Sequence, residues 1–495
     1  MDFEQGWMKQ PSKTREGKTT TTMDWKKIAV IGGGISGLAT AWFLREEALK
    51  RGTRVQVDLF EKEAGAGGKF ETLEREGYII EGGPNGFLDS KPWTLDLVRA
   101  LGMENRLLTS DQAAARRFIY SRGRLHELKP SILSFFLHGP LSVQGRLRIA
   151  GEFLAPPTPK GEDTSLAEFA RRRLGSEALE RLIDPMVSGI FAGDPSRMSL
   201  RASFPRIAEL EENFGGLTRA FLKLGSDRAR AKRRGEELTV SSGPSGPGGV
   251  LTSFKNGVRE LTDRLAGELD DRFHGKEEVF TLEGKDGRWR VVSSGGDYTA
   301  DSVILAMPSD VTAGLLAAVA PEPAQLLSQI PYSPMAVIGL GYRLADLAPR
   351  PHGFGYLIPS VEGIKLLGAL WDSSIFPGFR SDSDHFLIRA MVGGAQDPET
   401  PTLPEDALLD LTRKNLARTM GLAADPVFQT LFRWEKAIPL YTVGHLERLE
   451  RIESHLPPGI FLTGNAYRGV GINDCVRDAR TTALKTLDLL DGRRI

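Results

Sequence analysis

Gly32-Gly33-Gly34-Ile35-Ser36-Gly37 carries the pattern Gly-x-Gly-x-x-Gly between an apolar run, Ile28-Ala29-Val30-Ile31, and a helical stretch from Leu38 to Lys50. In that setting Gly32 permits a tight turn, Gly34 lets backbone N–H groups approach a pyrophosphate, and Gly37 lets helix and strand pack closely. The start of the helix adds unsatisfied N–H donors and a partial positive charge. Glu61 closes a second strand-like run, Val55 to Glu61, and lies 24 positions beyond Gly37. Its carboxylate can accept from both ribose hydroxyls of an adenosine and would repel a 2′-phosphate. A dinucleotide without that phosphate is predicted. A second glycine cluster, Gly65-Ala66-Gly67-Gly68-Lys69, favours FAD over NAD, because backbone can pass close to a flavin there. The bland alternative for that cluster is a flexible loop.

Other chemistry is hard to find. The seven histidines, His126 and His352 among them, show no metal-ligand spacing, and the single cysteine, Cys475, reads as a buried thiol. No internal disulfide can form, which fits a reducing, cytosol-facing compartment. With 64 basic and 64 acidic side chains there is no global charge to drive nucleic-acid binding. No apolar stretch is long enough to cross a bilayer as a helix, and the first 23 residues are polar without an apolar centre.

The elements that must hold the glycines begin with one βαβ unit. Its remaining parallel strands are expected later, at Asp301 to Ala306 and Gly459 to Gly464. The predicted fold is α/β (α+β): a discontinuous Rossmann-like domain, a mixed-sheet substrate domain and a helical insertion. Boundaries are set at 1–25 for a disordered extension, 26–110, 250–310 and 431–495 for the cofactor domain, 111–230 for the helices and 311–430 for the substrate domain. The mixed domain includes a strand from Ala336 to Tyr342. A loop is expected from Gly225 to Gly249, with 231–249 as its flexible part, carrying Arg228, Arg230, Lys232, Arg233 and Arg234.

Several separated motifs resemble the protoporphyrinogen oxidase family over about residues 26–490. They are Gly32 to Gly37, Glu81-Gly82-Gly83-Pro84-Asn85-Gly86-Phe87, Val187-Ser188-Gly189-Ile190-Phe191-Ala192-Gly193-Asp194-Pro195, Phe254-Lys255-Asn256-Gly257-Val258, and Gly464 to Cys475. The last motif lacks the Thr–aromatic pair of amine oxidases and the Pro–Gly-rich version of carotenoid desaturases. One departure is Gly65, where the family usually has an arginine.

The resemblance implies FAD held by Gly32, Gly33, Gly34, Ile35, Ser36 and Gly37 at the pyrophosphate and by Glu61 at the ribose. It implies Lys62, Lys69, Gly83, Pro84, Asn85 and Gly86 on the flavin side, and the backbone of Val279 at the adenine. Backbone N–H groups of Val470, Gly471 and Ile472 would meet the isoalloxazine; read alone, that stretch is an ordinary strand–helix turn. Arg117 would bind a substrate propionate and the Gly189 carbonyl would accept from pyrrole N–H groups, with Asn85, Leu357 and Phe376 lining the pocket. Without the resemblance, Arg116-Arg117 is a solvated surface pair and the last three are core or turn residues.

The activity implied is oxidation of protoporphyrinogen IX to protoporphyrin IX in haem synthesis, with molecular oxygen as acceptor and hydrogen peroxide as product. The flavin takes the hydride and no side chain is assigned as catalytic. Coproporphyrinogen III is the rival substrate, and a flavin- and tetrapyrrole-binding protein without turnover is the rival class. Further implied partners are a membrane surface on the cytoplasmic side, a second copy in a homodimer and a ferrochelatase receiving the product. Ser131 to Leu137, an apolar patch near Lys129, Arg146 and Arg148, is the expected membrane contact; its alternative is a buried helix.

Overall fold

The computed structural model describes residues 25–129, 139–159, 161–234 and 249–493. Its first sheet is parallel, in the order Phe273–Gly275, Val55–Glu61, Lys26–Ile31, Ser302–Leu305, Ile460–Leu462. Strands covered on both faces must be apolar at successive positions, which accounts for the unbroken Ile28–Ile31 run. Ile28 and Val30 pack against helices Ile35–Arg51, Arg259–Leu269 and Ile472–Leu490. Ala29 and Ile31 face the opposite cluster, built on Phe60, Trp289, Leu316 and Leu449. Each fully buried leucine or isoleucine adds roughly 1.5–3 kcal/mol to such a core. Helix Ile35–Arg51 ends at Gly52, whose φ of +70° lets its N–H return to the Ala48 and Leu49 carbonyls.

A second sheet of seven strands runs in the order Phe428–Pro439, Tyr332–Arg343, His385–Gly393, Gly368–Leu370, Gly355–Leu357, Arg117–Ser121, Arg124–Glu127. Ala336, Ile338, Leu340 and Tyr342 alternate onto one face and share a core with Leu408 and Leu416 of helix Glu405–Met420. Tyr78 and Ile80, on the hairpin Thr72–Arg75/Tyr78–Glu81, pack against Val337 on the other face. That hairpin delivers the Glu81–Gly86 turn to the junction of the two sheets.

Three expectations need correction. Residues 117–127 are not part of the helical insertion but form two strands of the second sheet, and 431–439 belongs to that sheet too. Helix Leu217–Arg233 runs through the first part of the expected loop. A lone Gly225 costs a helix only about 1 kcal/mol, and Lys223 and Asp227 pair across one turn at 3.3 Å. Residues 235–248, the expected membrane patch Ser131–Leu137 and residues 1–24 lie outside the described residues.

The helical insertion has its own core of Leu166, Phe169, Val187, Phe191, Met198 and Leu200. Arg173 is fully buried there between Glu152 and Glu211, at 2.8 and 2.7 Å. Among the described residues no helix is long and apolar enough to cross a membrane, and no group of His, Cys, Asp and Glu could hold a metal ion.

Candidate active site

Strand Lys26–Ile31 enters the glycine turn at Gly32, whose φ of +110° excludes most side chains. A Cβ on Gly37 would collide with the Gly32 carbonyl oxygen, so helix and turn meet only because both residues are glycine. The N–H groups of Ile35, Ser36 and Gly37 have no acceptor among the described residues. They form the donor end of a 17-residue helix. Nothing lies within 4 Å of a Cβ placed on Gly34, so this bed is open on its ligand side.

Glu61 accepts from Gly33 N at 2.6 Å and from Glu63 N at 2.9 Å, which orients its carboxylate beside the turn. Each oxygen keeps lone-pair capacity for a ribose hydroxyl. The second glycine cluster is laid on the first: Gly67 N donates to Gly33 O at 2.8 Å, and a Cβ on Gly68 would lie 3.4 Å from Gly34 Cα. Beside Gly65 stands Arg259, with Nη2 3.2 Å from where a Cβ would be. Val279 opens strand Val279–Lys285 just after Glu277, whose N–H donates to Glu61 O at 2.8 Å. The adenosine end therefore has its residues together.

On the other side of the turn, a Cβ on Gly83 would strike the Lys69 carbonyl oxygen, so the Gly83-Pro84-Asn85-Gly86 turn packs directly on Lys69. Lys69 Nζ sits 5.4 Å from the Tyr332 ring centre, and enclosure by protein pulls its pKa down to about 8 despite Cys475 and Asp310 nearby. Lys62 points away into solvent, 3.6 Å from Glu63. Of the two lysines only Lys69 occupies the recess.

Gly471 is the N-cap of helix Ile472–Leu490, and the N–H groups of Val470, Gly471 and Ile472 have no acceptor among the described residues. Two residues that sequence reasoning missed hold this loop. Tyr441 Oη donates to Asn465 O at 2.6 Å and accepts from Gly469 N at 2.7 Å, tying both ends of the turn. His445 stacks on Tyr441 with ring centres 4.2 Å apart and bonds Tyr467 O at 3.0 Å. Burial pulls the pKa of His445 down to about 4. Their only signal was the spacing of an aromatic and a histidine four apart.

The residues expected at the substrate gather along one edge of the second sheet. Arg117 pairs in register with Gly355, and Ile119 with Leu357, so Arg117, Gly355 and Leu357 project from one face. The Arg117 guanidinium lies 5.2 Å from the Phe354 ring centre; the residue as a whole is exposed, and the protein around its head group lowers its pKa without removing its charge. Gly189 lies in helix Asp184–Phe191 against Leu357, which a Cβ on Gly189 would press into. It sits in the last turn, where carbonyls lack helical donors. Trp371 N donates to Phe354 O at 3.1 Å, and the next residue, Asp372, accepts from Asn85 Nδ2 at 3.2 Å. Arg117, Gly189, Leu357 and Asn85 thus share one neighbourhood. Phe376 does not line it: the ring is fully buried, 4.7 Å from the Arg380 guanidinium, because the short helix Asp372–Ile375 turns it into the core.

These features fit a dinucleotide across the turn with its ring system against Lys69, Asn85 and the Val470–Ile472 donors. Comparison with known proteins agrees. Residues 35–485 match the family of flavin containing amine oxidoreductases. The chain is 28% identical over 479 residues to the coproporphyrinogen III oxidase of Bacillus subtilis (strain 168), covering 94% of this chain and 98% of that one. It is 31% identical over 483 residues to the chloroplastic protoporphyrinogen oxidase of Oryza sativa subsp. japonica, covering 93% and 88%. A solved structure from Exiguobacterium sp. 255-15, described provisionally as a protoporphyrinogen oxidase, superposes with a TM-score of 0.79 at 26% identity over 94% of this chain and 100% of that one.

Proposed function

This chain belongs to the flavin-containing amine oxidoreductase family and is an FAD-dependent oxidoreductase, and from that premise we propose that it oxidises protoporphyrinogen IX to protoporphyrin IX with oxygen as acceptor. The carrying observation is Arg117. It stands on the sheet face shared with Leu357, without a carboxylate partner among the described residues. Its neighbours are neutralised: Arg116 by Glu127 at 2.9 Å, Arg122 by Glu177 at 2.8 Å and Arg181 by Glu362 at 2.7 Å. One guanidinium without a carboxylate partner among the described residues of this neighbourhood suits a macrocycle whose propionates lie on one edge better than one carrying them on all four rings.

FAD, when bound, supplies the two-electron acceptor, and protoporphyrinogen IX with three O2 gives protoporphyrin IX and three H2O2. The chain binds and orients. Arg117 grips a propionate with two parallel N–H donors. Gly189 O accepts a pyrrole N–H, Leu357 forms an apolar wall, and the glycine turn with Glu61 fixes the cofactor. The proposed location is the cytoplasmic face of a membrane, held peripherally. Val143, Leu147, Leu154 and Leu222 support this, each more than two-thirds exposed on adjoining elements of the insertion.

The test is to mix holoprotein anaerobically with protoporphyrinogen IX and, separately, coproporphyrinogen III, following flavin bleaching, then porphyrin fluorescence and peroxide on admitting air. Preference for protoporphyrinogen IX is expected. Preference for the four-propionate substrate would move the enzyme to that reaction, and no bleaching with either would replace the oxidase by a binding protein. Arg117→Ala should keep FAD and lower efficiency about 10- to 100-fold; unchanged kinetics would remove the propionate role.

A further inference from the structure

Asn85 is held from one side only. Its Nδ2 lies 3.2 Å from Asp372 Oδ1, and because a carboxylate can only accept, the amide nitrogen must face Asp372. Oδ1 is therefore turned away, and it is buried with no donor among the described residues. Asp372 is itself clamped by Arg389, with Nε to Oδ2 at 2.9 Å and Nη2 to Oδ1 at 3.3 Å. The remaining guanidinium nitrogen, Nη1, donates to the carbonyls of Glu81 and Gly83 at 2.8 and 3.2 Å. A single buried arginine thus fixes both the backbone entering the Asn85 turn and the carboxylate that orients the amide.

Apolar residues of similar volume usually stabilise a core as well as a buried ion pair does. What the pair adds is direction. We propose that Asp372 and Arg389 are positioning residues that present the Asn85 carboxamide oxygen as an acceptor for a ring N–H, from the flavin or from a porphyrinogen pyrrole. The pyrrole arm rests on the substrate reading above; the flavin arm does not.

The experiment is a double-mutant cycle in the full chain, Asn85→Ala against Asp372→Asn. An asparagine at 372 can offer oxygen or nitrogen, so the Asn85 amide loses its single orientation while shape is kept. Two quantities are read: FAD dissociation from the apoprotein together with oxidised-flavin absorbance, and the apparent dissociation constant of protoporphyrinogen IX in anaerobic flavin reduction. Each single variant should weaken one of these by about tenfold, and the double variant should be no weaker than Asn85→Ala alone. Coupling in the first quantity identifies the flavin as donor, and coupling in the second identifies the pyrrole. If Asp372→Asn behaves as wild type, or its effect multiplies with that of Asn85→Ala, the proposal is overturned. Should Asp372→Asn fail to fold, the uncharged pair Asp372→Asn/Arg389→Gln takes its place in the cycle. Wild-type protein that no porphyrinogen reduces would end the substrate reading, while the flavin arm would still decide this one.

Discussion

Replacing Lys69 by methionine should move apoprotein stability and cofactor affinity in opposite directions. Enclosure lowers the ammonium from 10.5 to about 8. At about 1.4 kcal/mol per pH unit, that sets roughly 3 kcal/mol against the charged form, a ceiling because the recess also admits water. Below pH 8 the folded apoprotein carries the whole penalty. Between about 8 and 10.5 the folded lysine is neutral while the unfolded one is still protonated, so stability rises with pH, and above 10.5 the penalty has gone. The pyrophosphate of a dinucleotide lying on the glycine turn, where a Cβ on Gly68 would be 3.4 Å from Gly34 Cα, would offer the neighbouring Lys69 a counter-charge. Lys69→Met apoprotein should therefore resist urea better at pH 7, by up to ~3 kcal/mol, yet bind FAD about tenfold more weakly. Its affinity should also lack the decline expected of wild type as pH rises past 8. Urea melts of apoprotein at pH 7 and 9.5, with FAD titrations over the same range, measure both. A less stable variant that binds FAD normally, with an unchanged pH profile, would refute the reasoning.

His445 gives the acidic counterpart. Its ring is kept neutral with a pKa of about 4 against 6.5 when free, so stability should fall as pH drops from 6.5 towards 4, by up to ~3 kcal/mol. His445→Gln should flatten that slope in denaturant melts at pH 7 and 4.5; equal slopes in both proteins would count against it. For the membrane reading, Leu147→Asp/Leu222→Asp should release the protein from vesicles of anionic phospholipid in sedimentation, with flavin content unchanged. Retention of the double variant on the vesicles would remove these side chains from the contact.

The parts of this molecule legible in its sequence are those whose physics is local. Gly32–Gly37 and Glu61 belong to one βαβ unit, so turn, helix start and acid could be placed from spacing alone. Ser302–Leu305 and Ile460–Leu462 were visible because strands buried on both faces become uniform apolar runs. Arg117–Ser121 and Arg124–Glu127 were not, being short strands of mixed polarity, the second of them at the sheet edge. The Asn85–Asp372 contact joins residues 287 positions apart, and no local pattern announces it. The burial of Phe376 beneath Arg380 is equally a product of distant packing. Tyr441 escaped for the same reason, since its partners Asn465 and Gly469 lie in another segment.

The parallel sheet under the cofactor takes strands from the beginning, the middle and the end of the chain. During synthesis, Lys26–Ile31 and Val55–Glu61 can pair early, but Ile460–Leu462 and the donors at Val470–Ile472 are made only after the rest of this sheet. Pairings of such long sequence separation are slow to form. The strand entering the glycine turn must therefore wait, with one apolar edge unpaired, until Ser302–Leu305 has been made. If the Val470–Ile472 donors hold the flavin, FAD is gripped at both ends only once they have been made, and cellular FAD supply should govern the yield of folded protein at that late step.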